Sequence, residues 1–181
     1  MSAVNVVLLI IAIVAIAIAA WALMQRERTR KLKRHFGPEY DRVIEREGSA
    51  RRAADVLAGR QKRVEEYPIR RLTLEECDRF AGKWRAVQEH FVDDPHGAVA
   101  QADSLITEAM QTRGYPMSDF EQRAEDLSVD HPGVVQDYRT AHAIAVRDAQ
   151  STASTEDLRK AMQSYRALFE NVLDMRVLQH H

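Results

Sequence analysis

The chain has 181 residues, 45% of them hydrophobic and 7% aromatic, with 26 basic against 27 acidic side chains. That length allows one domain with an appendage and excludes a TIM barrel or a dinucleotide fold carrying a separate substrate domain. A single cysteine, Cys77, excludes an intramolecular disulfide framework and a Cys-rich zinc site, and 7 Gly with 5 Pro are too few for a collagen-like or low-complexity chain.

The chain opens on an uncharged run of 19 residues, Val6 to Met24, built almost wholly from Val, Leu, Ile and Ala. As a helix it would extend roughly 28 Å, close to the hydrocarbon thickness of a bilayer. Trp21 lies near its far end, where an amphipathic ring suits the membrane interface. A cleaved signal peptide would carry positive charge before the apolar run and have a shorter apolar region. Nothing before Val6 has a side-chain charge, so the expectation is an uncleaved transmembrane anchor over residues 1–25. Ala12, Ala15, Ala19 and Ala22 share one helix face, and small side chains let membrane helices approach closely. A homodimer through that face competes with simple abundance of alanine.

Arg26, Arg28, Arg30, Lys31, Lys33 and Arg34 follow at once, with Glu27 the one acid among them. Basic residues flanking a span stay on the cytoplasmic side. The expected placement is therefore the inner membrane in a single pass, N-terminus out and the C-terminal domain in the cytosol. The same six side chains either contact anionic lipid or only set topology. Nucleic acid is not expected, because no aromatic residues interleave with the basic ones and no recognisable module is present.

Residues 25–71 hold 15 Lys/Arg and 8 Asp/Glu, whereas residues 72–181 hold 11 and 19. A basic helical stalk, residues 26–67, thus precedes an acidic head, residues 68–176, and a short tail, residues 177–181. In the stalk, Gly37-Pro38 breaks the helix, Pro38 to Glu47 forms a short one, and Gly48 stops it. Ser49 can cap a further helix to about Glu66. Its apolar stripe, Ala50, Ala53, Leu57, Val64 and Tyr67, is too thin to build a core alone.

Five head helices are predicted in chain order. Thr73 with Glu76 forms a capping box for the first, whose apolar positions are Leu74, Cys77, Phe80, Ala81, Trp84, Val87, Gln88 and Phe91. Asp94-Pro95 starts the second, bearing Ala98, Val99, Ala102, Leu105, Ile106, Ala109 and Met110 and closed by Gly114. Ser118 with Glu121 caps a short third, bearing Phe120, Ala124 and Leu127. Pro132 opens the fourth, with Val135, Tyr138, His142, Ala145 and Ala149 on one face. Ser154 with Asp157 opens the last, with Leu158, Ala161, Met162, Tyr165, Leu168, Phe169 and Val172 in register. No strand alternation occurs. The expected fold is all-α: a single N-terminal transmembrane helix, a basic helical stalk, and a helical bundle of four long helices plus one short helix.

Catalytic chemistry finds little support. Asp93-x-x-His96 and Asp130-His131 have acid–His spacing, but helix capping explains both. Cys77 lies on an apolar stripe, where a thiol is inert. Nucleophile elbows and phosphate loops are absent from the sequence, and spacing indicates no acid partner for His142. No catalytic residue, cofactor or metal is expected.

The segment Gly114 to Pro132 is the candidate partner surface. Tyr115 offers a rigid aromatic anchor, and Asp119, Arg123 and Asp126 can set orientation. The stretches RGYPMSDFEQRAEDLSVDHPGVVQDYRTAHAIA and STEDLRKAMQSYRALFE, with HFGPEYDRVIEREG and KWRAVQEHFVDDP, resemble a bacterial group of uncharacterised helical proteins. Members resemble this chain in placing a short apolar segment before a charged helical region, and some are labelled secreted. That label conflicts with the topology read from the flanking charges. The resemblance implies no activity and no site residue. The functional expectation is a membrane-tethered interaction or scaffolding module. The alternative is a small-ligand-binding or enzymatic bundle with a cleft that the sequence does not reveal.

Overall fold

A computed structural model describes residues 3–173, so the tail read at 177–181 lies outside the described residues. The protein is all-α, with eight helices and no strand among the described residues: α1 (Ala3–Phe36), α2 (Pro38–Glu47), α3 (Ala50–Glu65), α4 (Leu74–Asp93), α5 (Pro95–Arg113), α6 (Phe120–Asp130), α7 (Val135–Ala149) and α8 (Thr155–Val172). The chain divides into two compact units, Met1–Ala58 and Gly59–His181, so the division falls inside α3.

In the first unit, α1 continues for 34 residues without a break. It includes the one stretch among the described residues long and apolar enough to cross a membrane, Ile10–Phe36. Along it Ile11, Ile16 and Leu23 are mostly exposed, as an apolar helix is when nothing in its own chain covers it. Gly37 then adopts φ 50° and Pro38 opens α2. Gly48 ends α2 in the left-handed region at φ 68°, its N–H donating to the Ile44 carbonyl. The Ser49 hydroxyl accepts from the Arg52 N–H at 3.5 Å where α3 begins. α2 packs against α1, with Lys33 paired to Asp41 at 3.3 Å. Leu32 and Phe36, Tyr40 and Val43, and Ala53, Ala54 and Leu57 are all withdrawn from water. The α3 stripe is thin alone, but Leu32, inside the basic run, and Phe36, just after it, stand four apart and extend the unit's buried set.

In the second unit, α5 packs against α4, α7 and α8, while α8 also lies along α7, and α6 packs on α7. All seven apolar positions expected on α5 are buried, and so are all seven expected on α8. Alanines at 98, 102 and 109 keep α5 slim enough for neighbours on several sides. On α4 the buried residues are Cys77, Phe80, Trp84 and Val87. Leu74, expected on that face, is 69% exposed instead, because at about 100° per residue it stands about 100° round the helix from the centre of the Cys77, Phe80, Trp84 and Val87 column. On α7 the buried stripe is Val135, Tyr138, Ala141 and Ile144. His142 and Ala145 lie at its edge and Ala149 outside it, because the inner column advances by threes here rather than alternating three and four.

Both expected capping boxes form, at Thr73/Glu76 and Ser154/Asp157. Asp94 caps α5 by accepting from the Gly97 N–H. Two helix starts differ from expectation. Asp119, not Ser118, caps α6, accepting from the Gln122 N–H. The shift by one residue occurs because the stronger acceptor has the right spacing to its own N3 amide. α7 starts at Val135, not Pro132, since residues 132–134 form a turn that precedes it.

Arg70 reinforces the first capping box by donating to both Glu76 carboxylate oxygens at 2.7 Å. Its guanidinium, with the Thr73 N–H, pulls the Glu76 carboxyl down to about 2 from its ordinary 4.5. A lowered folded-state value stabilises above the ordinary value and is lost as pH falls through the lowered one. Hydrogen exchange at the first-turn amides of α4 should therefore lose protection between pH 4.5 and about 2. Glu76→Gln should abolish that pH dependence. Protection that stays constant in the parent chain would refute the pairing.

Gly114 ends α5 at φ 102°, and a Cβ there would lie 2.5 Å from the Pro68 carbonyl oxygen. The Arg70 N–H donates to the Arg113 carbonyl at 2.8 Å beside it, so the loop backbone cannot retreat cheaply. Gly114→Ala should cost about 1–3 kcal/mol for the left-handed backbone and about as much again for the clash. Urea unfolding followed by circular dichroism measures this. A loss under about 1 kcal/mol would mean that the loop moves freely.

Candidate functional site

Within the first unit, Trp21, Gln25, Thr29, Leu32 and Phe36 follow one another on one face of α1 at spacings of three and four. Leu32 and Phe36 are buried, whereas toward the apolar end the side chains turn polar. There α3 supplies Arg51, Ala54 and Asp55, and a crevice of about 160 Å³ opens between Trp21, Gln25, Thr29 and those three residues. The Arg51 guanidinium stands 6.0 Å from the Trp21 ring centroid, a cation–π distance. Asp55 pairs with Arg28 at 3.3 Å. A shallower hollow of about 390 Å³ lies alongside, lined by Gln25, Arg26, Thr29 and Arg30.

All six basic residues expected to contact lipid are exposed. Arg28, Lys33 and Arg34 are paired with Asp55, Asp41 and Glu27. No acid pairs with Arg26, Arg30 or Lys31 among the described residues, which leaves these three side chains open to an external anion. Of the four alanines on α1, Ala12, Ala15 and Ala19 are exposed and Ala22 is half-buried.

The residues expected to form a partner surface separate into two kinds. Tyr115 is 3% exposed and its hydroxyl donates to an Asp130 carboxylate oxygen at 2.5 Å. Burial and the Asp130 acceptor push the phenol far above its ordinary value, so it stays protonated and donating. Asp126 is 1% exposed and accepts from Arg63 Nε at 2.9 Å and Nη2 at 2.7 Å. Neither offers a partner any surface: a ring and a carboxylate with these neighbours hold the fold together. Asp119 is exposed but occupied in capping α6. Arg123 is half-buried, donating to the Ser118 carbonyl at 2.8 Å and the Tyr138 hydroxyl at 3.3 Å. Of the four, only Asp119 and Arg123 present side-chain surface to the outside.

The structure also assembles two polar clusters that spacing did not reveal. Arg60, fully buried, donates to Glu125 Oε1 at 2.8 Å and to the Ser128 hydroxyl at 3.4 Å. With Arg63, Tyr67 and Asp126 it forms one charged seam between the end of α3 and α6. In the second cluster, the Tyr165 hydroxyl donates to Asp103 Oδ1 at 2.8 Å, and His142 Nδ1 lies 3.8 Å from the same oxygen. Phe120 stacks flat on the His142 ring at 3.6 Å. Burial, then the Asp103 charge, raise the Tyr165 phenol well above its usual range, so it too acts as a donor. Asp103 is the acid near His142, 39 positions away in the chain and so invisible to local spacing.

No group of three His, Cys, Asp or Glu side chains able to hold a metal occurs among the described residues. His96 Nδ1 meets Asp148 instead, at 2.5 Å. Cys77 is buried. A groove of about 450 Å³ between α4 and α5 is crossed by the Lys83–Glu108 ion pair and contains none of the Asp103 cluster. The fold and surface define an all-α protein with one N-terminal helix apolar enough to span a membrane. No family model, no curated protein and no solved structure matches the chain.

Proposed function

We propose that this protein is a membrane-tethered, non-enzymatic interaction module. In this reading α1 anchors it in the inner membrane, N-terminus out. A basic stalk, residues 26–67, stands at the cytosolic surface, and a helical bundle, residues 68–176, is displayed there to a protein partner. The observation that carries the reading is the continuity of α1, whose exposed apolar length runs directly into six exposed basic residues. Arg26, Arg30 and Lys31, unpaired with acids, favour attraction to anionic headgroups at about 1 kcal/mol each. In this reading a second copy meets the face that carries Ala12, Ala15, Ala19 and Ala22.

A phosphatase that works only outside the cytosol, fused to the C-terminus, should be inactive, while a cytosolic reporter fused there should be active. The reverse pattern overturns the orientation. Mature protein beginning after Ala20 or Ala22 overturns the anchor.

A ligand-binding bundle is the second reading. It is favoured by the Nδ1 of His142, which is buried without a hydrogen-bond partner beside Asp103 and Phe120.

A further inference from the structure

We propose that the crevice between α1 and α3 is a binding site for the headgroup of a single anionic phospholipid. The inference rests on the reading that α1 crosses a bilayer, and names the ligand of its membrane-proximal surface. Diffuse attraction to a basic flank needs no shape. This place has one.

Trp21 stands three residues before the last apolar residue of the run, Met24. Tryptophan at that depth sits among headgroups. The fold then returns the chain to the same level. α1 leaves, α2 comes back along it, and α3 begins beside Trp21, placing Arg51 over the indole at 6.0 Å. A residue 30 positions further along the chain is thereby brought to the headgroup layer.

The lining suits a phosphodiester. Arg51 is exposed and makes no ion pair among the described residues, so its planar donor fork is free for phosphate oxygens. Gln25 and Thr29 are half-buried polar side chains with no hydrogen bond among the described residues. They supply an amide and a hydroxyl to a glycerol or phosphate oxygen. Ala54 forms the floor and the Trp21 ring the membrane-side wall. The one acid, Asp55, is partly neutralised by Arg28 at 3.3 Å. A water occupies about 30 Å³ in the liquid, so a space of about 160 Å³ admits a headgroup fragment rather than a lone water.

The test uses the full chain in a non-ionic detergent and native mass spectrometry, with phosphatidylglycerol, phosphatidylcholine and inorganic phosphate as separate probes. One phosphatidylglycerol should be retained per chain, and phosphatidylcholine should not be. Arg51→Gln should lower that retention about tenfold, the effect of losing one charge-assisted contact. Asp55→Asn should raise it. Arg85→Gln, on the exposed face of α4, should leave it unchanged. Equal retention by Arg51→Gln, or equal binding of phosphatidylcholine, overturns the site. Displacement of the lipid by inorganic phosphate at matching concentration overturns the lipid assignment and leaves a plain anion site. Carbonate extraction of cell membranes is run on the same variants. Wild type and Arg51→Gln should both stay in the membrane. A wild-type chain that washes off overturns the anchor itself, whatever the mass spectra show.

Discussion

Arg63→Ala should destabilise the protein by about 3–5 kcal/mol, the cost of leaving a buried charge without its partner. Its removal strands the Asp126 carboxylate, 1% exposed, with only the Tyr67 hydroxyl at 3.3 Å. The reverse substitution is gentler. Asp126→Ala leaves Arg63, which is 35% exposed and lies 3.4 Å from Glu125, able to reach both water and a second acid. That change should cost about 1–3 kcal/mol, the range for a lost hydrogen bond to a charged group. The double variant should be no worse than Arg63→Ala alone, because no charge is then stranded. Urea midpoints of the three variants decide it. A costlier Asp126→Ala would mean that the carboxylate, not the guanidinium, is the group with an alternative partner.

Trp84→Ala should cost about 3–5 kcal/mol, as aromatic truncation in a packed core does. The ring is 7% exposed and stacks on Phe169 at 4.9 Å with a 20° interplanar angle, joining α4 to α8 across the core. Loss of the near-ultraviolet dichroism of that pair should accompany the loss in unfolding free energy. Leu74→Ala on the same helix should change stability by less than about 0.5 kcal/mol, as exposed substitutions do. Equal costs at the two positions would place α4 in the wrong rotation.

Helix boundaries set by local chemistry were legible in the sequence. Pro38 and Gly48 bracket α2, Asp94-Pro95 and Gly114 bracket α5, and each capping box needs only four consecutive residues. The inner faces of α5 and α8 were legible because an unbroken run of apolar residues at three and four leaves one choice of side. α7 was not. Both Ala141 and Ala145 fit a stripe, and only the packing against α8 and α5 selects the column through Ile144. The charged seam was illegible for a different reason. Arg60 and Glu125 are 65 positions apart, and each alone resembles a solvated charge. The burial of Tyr115 was illegible because its neighbours are loop residues, while its acceptor, Asp130, comes from the far end of α6. The crevice at Trp21 needed the return of the chain through α2 and α3, which no periodicity encodes.

The absence of any break in α1 has a mechanical consequence. The twelve residues from Gln25 to Phe36 continue the apolar rod by about 18 Å at 1.5 Å per residue. A rod with no hinge converts rotation at one end into translation at the other. When α1 sits in a bilayer and its inclination changes by about 20°, half of the roughly 0–40° range of transmembrane tilts, Phe36 sweeps sideways by about 6 Å. Bilayer thickness, which biases inclination through hydrophobic mismatch, would thereby be transmitted to α2 as a displacement. A pair of glycines inserted after Gln25 would disconnect the two.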